Sequence, residues 1–192
     1  GGGSNKINTS SGSSILGGNN NIIDDNSNNS TISSGYCNKI RCNVIESSIS
    51  GGSCNTLFFD NRYSSISGGC CNLIKDCSSY SFISSGVSNV INDNSCYSSI
   101  NSGKENTLID NSCYSSINAG YLNTITNTSQ FSSIVGGKQN IINDKDISFI
   151  IGGNITADRD CTTFVNNLSI TDVPTSDVGL PSGSIWRDGV NL

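Results

Sequence analysis

A glycine recurs at intervals of 16 or 17 residues along most of this 192-residue chain. An isoleucine stands three residues before nine of these glycines, and an asparagine stands three residues after nine of them. A fixed short period of this kind indicates one structural unit stacked on copies of itself. The repeating glycines are Gly2, Gly18, Gly35, Gly52, Gly69, Gly86, Gly103, Gly120, Gly137 and Gly153.

Each repeat contains two short stretches with period-two alternation, one on each side of the glycine. Ser, Ile and a small residue alternate before the glycine, and Asn and Ile or Leu alternate after it. This spacing places each set on one face of a short strand, and the glycine between them suits a corner with positive φ or close backbone approach. The sequence predicts an all-β fold, a parallel β-solenoid or β-roll of about nine 17-residue coils over residues 1–153.

Three sets of residues form the predicted structural columns of this shaft. They are Ile49, Ile66, Ile83, Ile100, Ile117 and Ile134, then Asn55, Asn72, Asn89, Asn106 and Asn123, and the corner glycines Gly52, Gly69, Gly86, Gly103 and Gly120. We expect the asparagines to point inward as an amide ladder, each donating to the coil on one side and accepting from the coil on the other. The alternative is that they serve turns.

The apolar content of each coil bears on assembly. Two Ile or Leu residues per coil are few for a free-standing chain, since ordering every residue costs conformational entropy. Sharing the apolar columns among chains around an axis would compensate for this, and the sequence favours a homotrimer. The alternative is a monomeric β-solenoid that polymerises end to end as a structural filament.

Composition excludes several classes of function. Charged residues are 13% of the chain, against about 25% in soluble domains, and the net charge of -5 disfavours nucleic acid. No apolar run approaches the length of a membrane span. Because His is absent, Ser-His and Cys-His catalysis are impossible, and we expect no enzymatic activity, no cofactor and no metal. Met is absent too, so we expect a piece of a longer chain or a processed product.

The repeat unit resembles the head repeats of trimeric autotransporter adhesins, and most closely their variants in fibre proteins of phages and large DNA viruses. The motif stands as SSISGGSCNTL from Ser47 to Leu57 and as SIVGGKQNII from Ser133 to Ile142. The resemblance covers about residues 1–153 and implies left-handed parallel β-rolls, three chains per fibre and surface attachment. The adhesin repeat is usually shorter and has Val-Ala-Ile-Gly where this chain has Ser-Ile-Ser-Gly.

An aromatic column stands six residues before the glycines in the second half of the shaft, at Tyr63, Tyr80, Tyr97, Tyr114 and Phe131. Stacked at the spacing of the coils, these rings form a stripe. One interpretation is that the stripe seals the edge of the roll or a seam between chains. The other is that it contacts a glycan or a receptor.

Cysteines and aspartates also recur in register. Cys37, Cys54 and Cys71 share one column, and Cys96 and Cys113 share another. We expect free thiols that pack as small apolar residues, with disulfides between coils or chains as the alternative. The column of Asp25, Asp76, Asp93, Asp110 and Asp144 is interpreted as a turn-forming, solvated edge.

The period stops at Gly153, so residues 154–192 are predicted to be a terminal coil and a capping or neck segment. Pro174, Pro181 and the only tryptophan, Trp186, lie there, and Trp186 is the candidate plug over the last coil. The stretch from Gly179 to Gly189 resembles a short module near the ends of viral and phage fibre proteins.

These observations predict a structural fibre or adhesin segment of a viral surface appendage that mediates attachment or surface coverage. We expect it on a virion or cell surface, with a host surface glycan or protein receptor as a possible partner.

Overall fold

The computed structural model of the chain describes residues 3–169, in which every regular element is a β-strand. Strands of two or three residues alternate between two parallel sheets, so that neighbours within a sheet come from successive repeats. The chain therefore advances by one repeat per coil, and the fold is a parallel β-solenoid of about nine coils. The described residues include no helix with the length and hydropathy that a membrane crossing requires.

The strands that follow the glycines form sheet A, which has nine members. They are β1 (Lys6–Ile7), β3 (Ile22–Ile23), β5 (Lys39–Arg41), β7 (Thr56–Phe58), β9 (Leu73–Lys75), β11 (Val90–Ile91), β13 (Thr107–Leu108), β15 (Thr124–Thr126) and β17 (Ile141–Asn143).

The strands that precede the glycines, together with the last described strand, form sheet B, which has ten members. They are β2 (Ser14–Ile15), β4 (Thr31–Ile32), β6 (Ser48–Ile49), β8 (Ser65–Ile66), β10 (Phe82–Ile83), β12 (Ser99–Ile100), β14 (Ser116–Ile117), β16 (Ser133–Ile134), β18 (Phe149–Ile151) and β19 (Thr163–Val165).

Register is kept from coil to coil, because identical positions pair with each other. In sheet B, Ile83 pairs with Ile66 on one side and with Ile100 on the other. At the corner between the two sheets, single residues also pair with the equivalent residues of the neighbouring coils, as Val87 does with Lys104 and Lys104 with Tyr121. Each coil is thus hydrogen-bonded to its neighbours on several sides.

The apolar core lies inside a single chain. From Ile23 to Ile150, the Ile and Leu residues of both columns are completely buried, with 0% of their surface exposed. No part of these columns is left for a second chain to cover. The expectation that the apolar columns are shared among chains is therefore wrong, and the argument for a trimer that depended on it is removed.

The asparagine column points inward, as expected, and its members from Asn21 to Asn140 are completely buried. The bonding differs from the expected ladder. Asn38 Oδ1 accepts from the Asn55 backbone N–H at 3.0 Å, and Asn38 Nδ2 donates to the Gly52 carbonyl at 3.1 Å. Nδ2 also donates to the Ser34 carbonyl in its own coil. Both intercoil bonds of Asn38 therefore reach the backbone of the following coil. Bonds between the amides themselves, as the ladder predicts, occur at two steps, where Asn21 Nδ2 donates to Asn5 Oδ1 and Asn106 Nδ2 donates to Asn89 Oδ1, both at 3.2 Å.

Two columns of serine fill much of the remaining interior. One stands five residues before the glycine, where Ser81 Oγ accepts from the Ser98 N–H at 3.2 Å and donates to the Ser95 carbonyl at 3.1 Å. The other stands eight residues before the glycine, and its members are Ser27, Ser78, Ser95, Ser112 and Ser129, all with 0% exposure. Backbone N–H groups of the following coil donate to both columns, so these hydroxyls take part in the packing of the coils.

The corner glycines are required by backbone geometry. Gly103 has φ of +94°, and a Cβ on it would lie 2.2 Å from the Gly120 carbonyl oxygen. That oxygen belongs to the backbone of the next coil, and it cannot move without disturbing the stack. A side chain is therefore excluded at this position on two grounds.

The last corner departs from the sequence prediction by one residue. The Gly152 carbonyl, rather than that of Gly153, accepts from Asn140 Nδ2 at 2.8 Å. Gly153 instead lies against Lys138, one position past the corner. The predicted corner at Gly153 is therefore wrong, because one residue is missing between β18 and the turn.

The polypeptide continues as a coil after this corner, up to β19, which pairs in parallel with β18. The predicted capping residue Trp186 and the rest of 170–192 lie outside the described residues, and the capping role stays a prediction.

Candidate contact surface

The aromatic column occupies a corner of the coil at which the backbone is left-handed. Tyr63, Tyr80, Tyr97, Tyr114 and Phe131 have φ between 53° and 58°. Such φ values are uncommon for bulky side chains. Each backbone N–H is fixed by the preceding coil, as where Tyr97 N–H donates to the Ser79 carbonyl at 3.1 Å. Because the next residue is a serine that points inward, the ring is directed outward.

The five rings form a continuous stack along the solenoid, which we call the aromatic ladder (Tyr63, Tyr80, Tyr97, Tyr114 and Phe131). Successive ring centroids are 4.8–5.0 Å apart. The rings beyond Tyr80 are nearly parallel, with interplanar angles of 2–6°. The pitch of the ladder is the pitch of the coils, since each coil contributes one ring.

The stacking decides which part of each ring a partner can reach. About half of each side chain is exposed, from 48% for Tyr80 to 53% for Phe131. Because the rings stack on one another, the faces of the inner rings are covered, and their edges and hydroxyl groups are what face solvent. Since about half of each residue is also covered, a seal along the roll or between chains and a contact with a partner both stay open interpretations. Sugar stacking on ring faces is possible only at the two ends.

The groups around the ladder raise the pKa values of two of its phenols. Hydrogen bonding to the Glu46 carboxylate, together with its negative charge, raises the pKa of the Tyr63 phenol. Partial desolvation, followed by the neighbouring phenols of Tyr80 and Tyr114, raises the pKa of Tyr97. Because the ordinary phenol pKa of about 10 already leaves the group neutral near pH 7, these upward shifts do not change its charge there.

The cysteines lie at the surface rather than in the core. All nine thiols are free, and each is partly or fully exposed. The thiols are free, as expected, but they lie outside the core because both inward faces of each coil are already occupied by Ile, Asn and Ser. Cys70 Sγ and Cys71 Sγ are 3.2 Å apart. A hydrogen bond with Cys70, desolvation and the proximity of Cys54 raise the pKa of Cys71 to about 11.

The aspartate column lies at another left-handed corner. Asp110 and Asp144 have φ of 58° and 53°, and they line a surface cavity of about 510 Å³ with Asn111, Asn127 and Thr128. Asp110 Oδ2 accepts from Thr126 Oγ1 at 2.6 Å. This arrangement fits a turn-forming edge. Among residues 3–169, no group of three or more Cys, Asp or Glu side chains is placed to hold a metal ion.

The second serine column was not recognised from the sequence. It repeats with the same 17-residue period as the glycines, from Ser78 to Ser129, and this period could have revealed it. Val44 and Asn61 interrupt the column in two early coils, and they obscure it in the alignment of repeats.

Comparison with known proteins adds no family to these findings. No protein-family model matches the chain, and no curated protein matches it either. The resemblance to adhesin head repeats and viral fibre proteins depends on the repeat motif alone, and it stays a prediction.

Proposed function

We propose that the chain is a structural segment of a fibre-like surface appendage, most consistent with a viral fibre, that serves attachment or surface coverage. The observation that carries this proposal is the closed interior. The Ile, Asn and Ser columns fill each coil with side chains bonded to the coil itself or to the next one. The outward residues, by contrast, vary from coil to coil.

An interior of this kind supports a spacer role. At about 4.8 Å per coil, nine coils give a rod of roughly 43 Å. Stability in such a stack comes from contacts between neighbouring coils, so the rod can be extended by adding repeats. Its chemistry towards partners is confined to the outer surface, and the proposal assigns it no catalytic activity.

Immunogold labelling tests the location. Antibodies raised against the purified chain should decorate filaments on the surface of the particle or cell that produces it. The purified chain should also bind host cells or a glycan array in a saturable manner. Labelling confined to the cell interior, together with no surface binding, would contradict the proposal.

The second candidate is a monomeric solenoid that polymerises end to end. The complete burial of both apolar columns within one chain favours it, because a single chain then needs no partner for its core. Native mass spectrometry separates the candidates. A stable trimer at low micromolar concentration supports the trimeric fibre implied by the resemblance, whereas a folded monomer that forms longer polymers supports the filament.

A further inference from the structure

The two rows that flank the aromatic ladder carry no acidic side chain, and the nearest acidic groups lie at its two ends. Glu46 is hydrogen-bonded to Tyr63 at one end, and Asp146 Oδ1 accepts from the Gln130 N–H at the other. One flanking row, directly before the rings, consists of Arg62, Ser79, Cys96, Cys113 and Gln130. The other, two residues after the rings, consists of Ser65, Phe82, Ser99, Ser116 and Ser133. We call the ladder with these two rows the ladder strip. Acidic residues of the same coils, such as Asp76 and Glu105, belong to the other faces.

This distribution of charge selects the side by which two copies can approach. The chain has a net charge of -5, so its acidic faces repel one another. Between its two acidic ends the ladder strip avoids that repulsion, and it exposes edges of aromatic residues, which are enriched at protein interfaces. Solvent-exposed rings in a continuous row are also uncommon on a surface that has no partner.

The geometry of the ladder restricts what can contact all of its rungs. A further ring cannot insert between rings whose centroids are 4.8–5.0 Å apart, so contact is made by ring edges and hydroxyl groups. A partner contacts every rung only if its own groups repeat at this distance. Parallel β-coils have that repeat, and a second copy of this chain has it with the same side chains.

We propose that two copies of the chain associate side by side through the ladder strip, ring edge against ring edge. This inference does not depend on the proposed fibre function. The ladder is about 20 Å long, since five rungs are spaced by about 4.8 Å. Such a patch is smaller than the roughly 800 Å² per partner of a stable complex. Association is therefore weak and depends on concentration.

Phenol coupling can trap this weak contact in the full-length chain. Photo-oxidation with a ruthenium tris-bipyridyl complex and persulfate removes one electron and one proton from each of two tyrosines. The two ring carbons beside the hydroxyls then bond, and persulfate is reduced to two sulfate ions. We expect a covalent dimer whose dityrosines join Tyr63, Tyr80, Tyr97 and Tyr114 of the two copies.

The chain contains its own control for random collisions. Tyr36 and Tyr121 are 50% and 42% exposed, similar to the ladder tyrosines, but they stand in a different column. Peptide mapping should give at least about fivefold more intermolecular coupling at each ladder tyrosine than at either of these two. Even coupling at all six tyrosines would overturn the proposal.

Variants separate docking from coupling chemistry. Replacing Tyr80 and Tyr97 by Lys adds charge to the strip, and it should reduce coupling at Tyr63 and Tyr114 to the level of Tyr36. Replacing all four ladder tyrosines by Phe keeps the stack, so sedimentation should still show the dimer although ladder coupling is lost. Circular dichroism confirms that each variant is folded.

Three further outcomes count against the proposal. The first is a monomer at every concentration up to about 1 mM in sedimentation equilibrium. The second is coupling only within monomers. The third is binding of a glycan or another protein that the double Lys variant loses, in a chain that shows no dimer.

Discussion

The regular coils between Gly18 and Gly137 and the coil that follows Gly152 share the same backbone pairing but not the same interior. In the last coil, Ile155 stands in the asparagine column, Ala157 in the second Ile/Leu column, and Phe164 pairs with Ile150. Ile155 and Phe164 are only partly buried. The backbone hydrogen bonding between coils therefore continues for one coil after the regular pattern of inward side chains has ended.

Ile155 ends the column of buried amides within the described residues. Ile155 still donates its backbone N–H to Asn140 Oδ1 at 3.1 Å, so the preceding asparagine is satisfied. The comparison teaches that backbone pairing between coils does not require an asparagine at this position.

The largest expected difference between the two regions concerns a buried charge. Ile100→Asp or Ile117→Asp places a carboxylate in a fully buried column and should cost more than about 4 kcal/mol, with local collapse of the shaft. Phe164→Asp should cost clearly less, because Phe164 is partly exposed. Urea denaturation measures the costs, and Lys104→Ala is the control with little effect. Equal, mild effects from all of these would show that the column is not buried.

The next effect concerns the corner of the regular coil. Gly103→Ala should destabilise the chain by at least about 2 kcal/mol, because both φ and the Gly120 carbonyl oppose a Cβ. Gly136→Ala is the matched control, since nothing lies within 4 Å of a Cβ there. Thermal denaturation of both variants tests the difference. A Gly103→Ala chain as stable as the parent would mean that the corner can relax.

A smaller effect is expected for the amide column. Asn106→Ala leaves the Asn123 N–H and the Gly120 carbonyl without their side-chain partner, and it should cost about 2 kcal/mol. The outward Asn118→Ala should change the free energy of unfolding by less than about 0.5 kcal/mol. Denaturant titration compares the two. Similar values for both would show that the buried amide adds no more than a surface one.

Removal of the C-terminal segment tests whether it protects the last coil. Deleting residues 172–192 should expose the coil end, give end-to-end aggregation and speed amide exchange in β18 and β19, while exchange in β12 and β14 stays unchanged. Hydrogen exchange with mass spectrometry, at low concentration, measures this. A truncated chain that is equally heat-resistant, soluble and protected would show that the segment is not a cap.

The smallest effect should come from the outside of the shaft. Tyr97→Asn removes one rung but places a residue that tolerates left-handed backbone at φ of 56°. We expect the free energy of unfolding to change by less than about 1 kcal/mol, because the lost stacking and the relieved strain oppose each other. Chemical denaturation tests this. A loss above about 2 kcal/mol would mean that the ladder supports the shaft itself.

Much of the fold could be predicted from the sequence because its cause is periodic. The Ile and Asn columns were placed inside from their spacing alone, and the positive φ of the corner glycines followed from their position between two strands. The corner at Gly152 could not be found in this way. Gly152 and Gly153 are adjacent, and only the partner of Asn140 distinguishes them.

The closure of the core within one chain and the nature of the ladder could not be predicted, for different reasons. Counting only Ile and Leu made the core look too small, because the fully buried Ser95 and Ser112 were not counted as interior. The positions of Tyr80 and Tyr97 were predicted to stack, but the sequence does not say that stacking covers the ring faces. That depends on the outward corner at which the rings stand.

The direction of the inward hydrogen bonds gives the solenoid a polarity during synthesis. Asn38 reaches forward to Gly52 and Asn55, and Ser81 reaches forward to Ser95 and Ser98. A coil that has left the ribosome is therefore incomplete until its successor emerges. Since synthesis starts at the amino terminus, we expect folding to follow the nascent chain, with each new repeat completing the interior of the one made before it.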